Sequence, residues 1–397
     1  MAIPSLRVVI APDSFKGTIG ARAAAEAIAA GWRLVRPGDD LQILPQADGG
    51  EGSLDALAAA VDGARLIGEA RSALDGPGVG QWLELPDGVA VVELAACCGL
   101  GLYPRPAPLT ASTAPLGQTI AAALDSGARR VVVALGGSAS TDGGVGALSA
   151  LGARFVDEAS VPIPSGGAGL RSLASIDVTG LRPVPAGGVL LLTDVRNPLL
   201  GSRGAANVFA PQKGASSREV RELEDGMTRL ATVVRAAAVA ADDVAVRPGS
   251  GAAGGAGFGL MALWGARSVP GAGQIAALTG LRDILANHDA NLVITGEGRV
   301  DPTSFEGKVV GTTVELTREA ATPGSGCHVA IIAGQIDRRA LAAPSANVST
   351  GGIEVLSLTE LSGSADSAMS DARHWLAVAG RRLAERYGKP KRPSDQR

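Results

Sequence analysis

Five times along the chain, a short apolar, strand-like run ends a few residues before an aspartate. Residues 6–11 precede Asp13, 41–44 precede Asp48, 131–135 precede Asp142, 189–192 precede Asp194 and 291–295 precede Asp301. Runs dominated by aliphatic and β-branched residues suit strands covered on both faces, as in parallel sheets flanked by helices. Between the first two runs, Ile19, Ala24, Ile28, Trp32 and Val35 fall near one helical face, which completes a βαβ unit. Right-handed crossovers bring the residues that follow each strand to the carboxyl edge of the sheet, where doubly wound folds bind ligands. A single aspartate there is as readily a turn former or a helix cap. Five in series point to a site.

The middle of the chain has a different character. Residues 81–85 and 89–95 read as two strands joined through Pro86-Asp87-Gly88, an antiparallel hairpin inside an otherwise parallel pattern. At 397 residues the chain exceeds one ordinary core. The simplest architecture is an α/β, doubly wound parallel-sheet domain built from residues 1–63 and 286–388. A second, mixed α/β domain of residues 64–285 is inserted into it, and residues 389–397 form a flexible basic tail. Residues 216–234 read as an amphipathic helix with Val220, Leu223, Met227, Leu230 and Val234 on one stripe, and Ser216 and Glu219 stand at capping-box spacing.

Charge narrows the partners. With 36 Lys and Arg against 39 Asp and Glu, the formal charge is −3, so neither nucleic acid nor an anionic membrane has an electrostatic footprint here. A small molecule is the expected partner. The start shows no charged segment followed by a long apolar one, and no window approaches ~18 apolar residues, so a soluble, unexported chain is expected. Cys97, Cys98 and Cys327 make neither a disulfide framework nor a zinc spacing and suit a reducing cytoplasm. His288, His328 and His374 are scattered and suggest no His-dependent triad.

Glycines crowd the same loops as the acids: Asp48-Gly49-Gly50-Glu51-Gly52, Gly136-Gly137-Ser138-Ala139-Ser140-Thr141-Asp142-Gly143-Gly144 and Gly296-Glu297-Gly298. Exposed amides in such loops make anion-binding concavities, and carboxylates beside bound phosphate imply a bridging Mg²⁺. Lys16, Lys213 and Lys308 each stand in a loop beside glycine, where a phosphate-neutralising cation is needed. The pattern points to phosphoryl transfer, in which positioning and charge stabilisation do most of the catalytic work. Gly307-Lys308 lacks the upstream glycine and following Ser or Thr of a P-loop, and the protein-kinase signatures are missing. Gly249-Ser250-Gly251-Ala252-Ala253-Gly254 matches a dinucleotide fingerprint, but it follows Arg247-Pro248 and not a clear strand, and no acid ends a second strand about 20 residues on. A glycine loop touching nucleotide phosphate or a substrate carboxylate fits it better.

Seven ordered blocks resemble the class I glycerate kinases: Ala11-Pro12-Asp13-Ser14-Phe15-Lys16-Gly17-Thr18, Ala47-Asp48-Gly49-Gly50-Glu51-Gly52, the 136–144 loop, Thr193-Asp194-Val195-Arg196-Asn197-Pro198-Leu199, Phe209-Ala210-Pro211-Gln212-Lys213-Gly214, residues 249–257, and Thr295-Gly296-Glu297-Gly298-Arg299-Val300-Asp301. The resemblance implies a Rossmann-like domain interrupted by a second α/β domain, a cleft between them, and ATP-dependent phosphorylation of D-glycerate, at the 2-hydroxyl in preference to the 3-hydroxyl. Under it, Lys16 would meet the transferring phosphate, and Asp194 or Asp48 would orient and deprotonate the hydroxyl. Asp13, Asp142 and Asp301 would reach Mg²⁺. ATP phosphates would be held by Gly136, Gly137, Ser138, Gly249, Gly251, Gly254 and Lys213. Glycerate would be bound by Ser14, Asn197, Glu297 and the cations Arg196 and Arg299. A monomer or homodimer is expected. After Asp301 the family usually shows Gly then Gln where Pro302 and Thr303 stand here, which leaves open any contact made by that glutamine. Two other readings remain: a non-catalytic hydroxy-acid sensor or regulator, and a dinucleotide-dependent oxidoreductase.

Overall fold

A computed structural model describes residues 4–237, 243–320, 327–341 and 353–387. Two compact units emerge. One takes the described residues up to Asp48, Asp55–Asp62 and those from Ala272 onward; the other takes Gly49–Leu54 and Gly63–Gly271. The tail expected at residues 389–397 lies outside the described residues.

The first unit holds a five-stranded, wholly parallel sheet in the order Glu354–Ser357, His328–Ile336, Leu292–Val300, Arg7–Ile10, Asp40–Ile43. Successive side chains of a strand face opposite ways, and both faces are covered. Val8 and Ile10 pack with Ile28, Trp32, Leu376 and Leu383 on one side. Val9 and Val293 pack with Leu44, Leu281 and Leu285 on the other. Helices Ala21–Arg33 and Ala372–Tyr387 meet backbone to backbone on the first side: a Cβ on Gly31 would lie 1.8 Å from the Ala377 carbonyl oxygen, and one on Gly380 would lie 2.2 Å from that of Ile28. Chain order reverses between Arg7–Ile10, which pairs with the next strand Asp40–Ile43, and Leu292–Val300 on its other flank. That reversal opens a crevice beyond the carboxyl ends of these strands.

The second unit holds a six-stranded mixed sheet in the order Arg267–Val269, Val189–Leu192, Arg130–Ala134, Val89–Glu93, Trp82–Leu85, Arg65–Ile67. The first four strands are mutually parallel, Trp82–Leu85 runs antiparallel to both its neighbours, and the expected hairpin turns at Gly88, whose φ is 71°. The expected amphipathic helix runs Ser217–Ala236, with Ser216 and Glu219 forming a reciprocal cap and Val220, Leu223, Met227, Leu230 and Val234 buried. The fold is therefore a doubly wound parallel-sheet unit interrupted along the chain by a mixed α/β unit. The division differs from the expected 1–63 and 286–388 against 64–285 at both junctions: Gly49–Leu54 falls in the second unit, and the return to the first lies at Gly271–Ala272 and not after residue 285. Ala276, Leu281 and Leu285 bury against Val9, Ala11 and Val293, so this stretch belongs to the first core. Among the described residues, no helix is long and apolar enough to cross a membrane.

Candidate active site

The crevice of the first unit opens into a cavity of about 330 Å³ lined by Asp13, Ser14, Lys16, Asp48, Glu297, Gly298, Arg299, Asp301 and Lys308, among others. Backbone bonds place these side chains. The amide of Asp13 donates to the Gly296 carbonyl at 2.8 Å, laying the loop after Arg7–Ile10 across the neighbouring strand. The Phe15 amide donates to the Ile19 carbonyl at 2.9 Å and closes the loop that carries Lys16. Gly17 supplies the φ of 80° that this turn needs, and none of the described residues stands within 4 Å of where its Cβ would be. Asp48 is brought in by Gln46, whose amide donates to the Pro12 carbonyl at 2.9 Å and whose Nε2 donates to Thr279 Oγ1 at 3.0 Å. Lys16 Nζ then stands 3.5 Å from Asp48 Oδ2.

Carboxylates outnumber cations at the deep end. Burial, followed by the charges of Asp48 and Glu297, pushes the Asp13 carboxyl up to about 7, even though the Ser14 amide and Lys16 favour its ionised form. Burial raises Glu297 as well, with Asp301 and Asp48 adding to it, and Glu297 Oε1 has no hydrogen-bond partner among the described residues. Burial alone would lower Lys16, but Asp48, Asp13 and Glu297 hold it above its ordinary value. Crowded carboxylates and an orphaned oxygen form a hard-oxygen donor set that a divalent cation would relieve. Among the described residues, no three His, Cys, Asp or Glu side chains cluster closely enough to hold an ion by themselves. A Mg²⁺ ion here would keep waters and phosphate oxygens as its other ligands, as that ion usually does.

The remaining expected site residues lie in the second unit, and several have other work. Asp142, expected to reach metal, is 1% exposed and accepts from the amides of Thr113, Gly144 and Gly146 and from Thr113 Oγ1 at 2.8–3.2 Å. It locks its own loop to the start of helix Ala114–Asp125. Lys213, expected on phosphate, is 3% exposed and donates to Ser138 Oγ at 2.7 Å and to the Ser140 carbonyl at 2.5 Å. At the glycines expected to admit phosphate, the protein's own atoms approach closely. A Cβ would lie 2.4 Å from Gly50 Cα at Gly136, 3.0 Å from Ala95 Cβ at Gly137, 2.7 Å from Ser268 Oγ at Gly249, 2.3 Å from the Pro198 carbonyl oxygen at Gly251 and 2.1 Å from that of Ser140 at Gly254. The fingerprint follows the short turn Val244–Val246 and not a strand, so packing accounts for its glycines and the oxidoreductase reading loses its support. Asp194 accepts from the Gly271 amide at 3.0 Å, Asn197 Nδ2 donates to the Arg203 carbonyl at 2.8 Å, and Arg196 is exposed.

Burial drives the Lys213 ammonium down to about 7, against the pull of Asp142 and Cys98. In the unfolded chain it titrates near ~10.4, so from pH 7 upward the unfolded state binds more protons here and stability rises with pH; below 7 both states are charged and the penalty is constant. Urea unfolding at pH 7 and pH 9 is expected to show Lys213→Met losing about 2 kcal/mol of that rise while remaining at least as stable as the wild type at pH 7. Parallel pH profiles for the two proteins would show that Lys213 is not held in this buried state.

Several cavity residues escaped the sequence reading: Gln335, Leu358, Thr359, Ala368 and Ala372 form a wall of it. Gln335 lies in the strand His328–Ile336, and the other four come from the helices Leu358–Ser362, Ala365–Ser370 and Ala372–Tyr387, none of which the sequence reading singled out.

A doubly wound sheet with acids and lysines converging at its switch point defines a phosphoryl-transfer class of α/β protein. Residues 8–388 match the model of the Glycerate kinase family. The chain is 40% identical over 308 residues to a glycerate 2-kinase of Escherichia coli, covering 77% of this chain and 80% of that one. It is 37% identical over 325 residues to a glycerate kinase of Halalkalibacterium halodurans, covering 80% and 83%. A crystal structure described as glycerate kinase 2 of Salmonella typhimurium LT2 superposes with a TM-score of 0.79 at 34% identity, covering 96% of this chain and 98% of the other. The chain belongs to the glycerate kinase family, enzymes that transfer a phosphoryl group to an alcohol.

Proposed function

We propose that the chain uses Mg²⁺ and ATP to convert D-glycerate to 2-phospho-D-glycerate. The observation that carries this is the convergence of Asp13, Asp48 and Glu297 with Lys16 and Lys308 around one cavity at the switch point. Lys16, kept charged by three carboxylates, would stabilise negative charge on the transferring phosphate. Asp48 takes the base role in preference to Asp194 because it stands 3.5 Å from Lys16. Its carboxylate would orient the acceptor hydroxyl and receive its proton as the new O–P bond forms and the bond to ADP breaks. Asp13, with Glu297 beside it, would hold Mg²⁺, which when bound supplies charge neutralisation at the phosphate oxygens. Asp301 is committed to its own turn, accepting from the Thr303 amide at 2.9 Å, and supports the cavity wall. We place the reaction in the cytoplasm on the strength of the unpaired thiols Cys97, Cys98 and Cys327.

The choice of the 2-hydroxyl is supported by the E. coli relative named glycerate 2-kinase. The two hydroxyls stand on adjacent carbons, and a misplacement of about 1 Å is already large enough to govern rate. Product fed to enolase alone is expected to yield phosphoenolpyruvate at once. A strict requirement for added phosphoglycerate mutase would assign the 3-hydroxyl instead.

A further inference from the structure

Among the described residues three cations line the cavity, and they are not equivalent. Lys16 is taken up by Asp48 and Asp13. Arg299 has a side chain 68% exposed and approaches Asp301 only to 4.0 Å. Lys308 is anchored. Its Nζ donates to Thr303 Oγ1 at 3.1 Å, and the Thr303 hydroxyl donates in turn to Asp301 Oδ1 at 2.6 Å. Asp301 is fixed by a reciprocal cap, accepting from the Thr303 amide at 2.9 Å while its own amide donates to Ser304 Oγ at 3.0 Å. Pro302 opens this turn, where its preset φ suits the first helical position.

The direction of the relay matters. The one proton of the Thr303 hydroxyl goes to Asp301, so the oxygen can only accept from Lys308, and Thr303 has nothing left to give a ligand. An ammonium carries three N–H donors, and Thr303 engages one. Lys308 is near enough to Glu297 and Asp301 to favour the ionised form of both. Its charge thus bears on the cavity from the side of the 302–305 turn, whereas Lys16 bears on the Asp13 and Asp48 end.

We infer that Lys308 is the cation that takes the carboxylate of the acceptor substrate, and that Thr303 is a positioning residue holding it through the relay to Asp301. The inference rests on the glycerate kinase reading and adds the residue that selects an acid over a neutral alcohol. Lys16 serves the phosphate, Lys308 the carboxylate, and the acceptor hydroxyl lies between them.

The test compares D-glycerate with glyceramide, which keeps both hydroxyls and loses the charge. In full-length protein, Lys308→Met is expected to raise the KM for D-glycerate about a hundredfold and to collapse the wild-type preference for the acid over the amide by a similar factor, with the KM for ATP unmoved. Thr303→Val is expected to raise the KM for D-glycerate about tenfold, and Thr303→Ser to restore it. Thr303→Val carries the test by itself should Lys308→Met fail to fold. Equal losses on acid and amide, a loss confined to kcat, or a raised KM for ATP would put Lys308 on the phosphates and overturn the inference. A wild type that turns over neither compound overturns the kinase reading itself, and the carboxylate assignment with it.

Discussion

Asp13→Asn and Lys16→Ala are each expected to lower kcat by about a hundredfold or more, the former without lowering the melting temperature. Removing one preorganised charge at a transition state costs about 3 kcal/mol. For Lys16 that charge is assured, since three carboxylates hold its ammonium above its ordinary pKa. Asp13 has a second consequence. Its carboxyl is pushed up to about 7 by burial and by Asp48 and Glu297, so the folded protein is less stable for carrying it ionised. Asparagine keeps an oxygen to accept from the Ser14 amide, which lies 2.6 Å from Asp13 Oδ1, and removes the repulsion. Steady-state kinetics and thermal melts on one preparation are expected to show activity falling while stability holds or rises, the opposition seen where a site is kept strained for function. Near-normal kcat in either variant would remove that residue from the mechanism.

Gly251→Val is expected to destabilise the protein by about 3 kcal/mol or more, a structural failure and not a selective loss of nucleotide binding. The Cβ of any larger residue would stand 2.3 Å from the Pro198 carbonyl oxygen and 3.1 Å from that of Asn197. Both are backbone atoms, and the Gly251 amide is already tied to the Asn197 carbonyl at 2.9 Å, so neither strand of the contact can yield by a rotamer change. Gly273 is the control. It lies in helix Gly271–Leu278 with none of the described residues within 4 Å of its missing Cβ, and Gly273→Ala is expected to be neutral or stabilising by up to ~1 kcal/mol. Denaturant unfolding separates the two. A folded Gly251→Val protein of normal stability with lost ATP affinity would return the loop to the ligand.

The contrast between these glycines shows where the sequence was legible and where it was not. Apolar runs identified the strands before Asp13 and Asp301, because their stretches Val8–Ile10 and Leu292–Thr295 are buried and covered on both faces, whereas the edge strand Asp40–Ile43 before Asp48 alternates exposed and half-buried residues. They could not say which acids meet, since that depends on sheet order, and Asp13 meets Glu297 only because Arg7–Ile10 pairs with Leu292–Val300 across nearly the whole chain. A glycine signals a close approach without naming what approaches. At Gly136, Gly251 and Gly254 the neighbour is the protein's own backbone. Asp142 and Lys213 carry the same ambiguity: a charged residue in a glycine loop reads as a ligand contact, and only burial with hydrogen-bond partners reveals a lock. The apolar wall of Leu358, Ala368 and Ala372 had no signature, since small aliphatic residues on helices look alike whether they face a core or a cavity.

Coupled ADP release from purified protein with ATP and Mg²⁺, assayed in parallel on D-glycerate, L-glycerate, tartronate and hydroxypyruvate, tests the central claim most directly. Turnover is expected with D-glycerate well above the other three and is expected to cease when the metal is chelated. ADP release at background level with D-glycerate, alongside clear turnover of another hydroxy acid, would contradict the assignment of D-glycerate as the substrate.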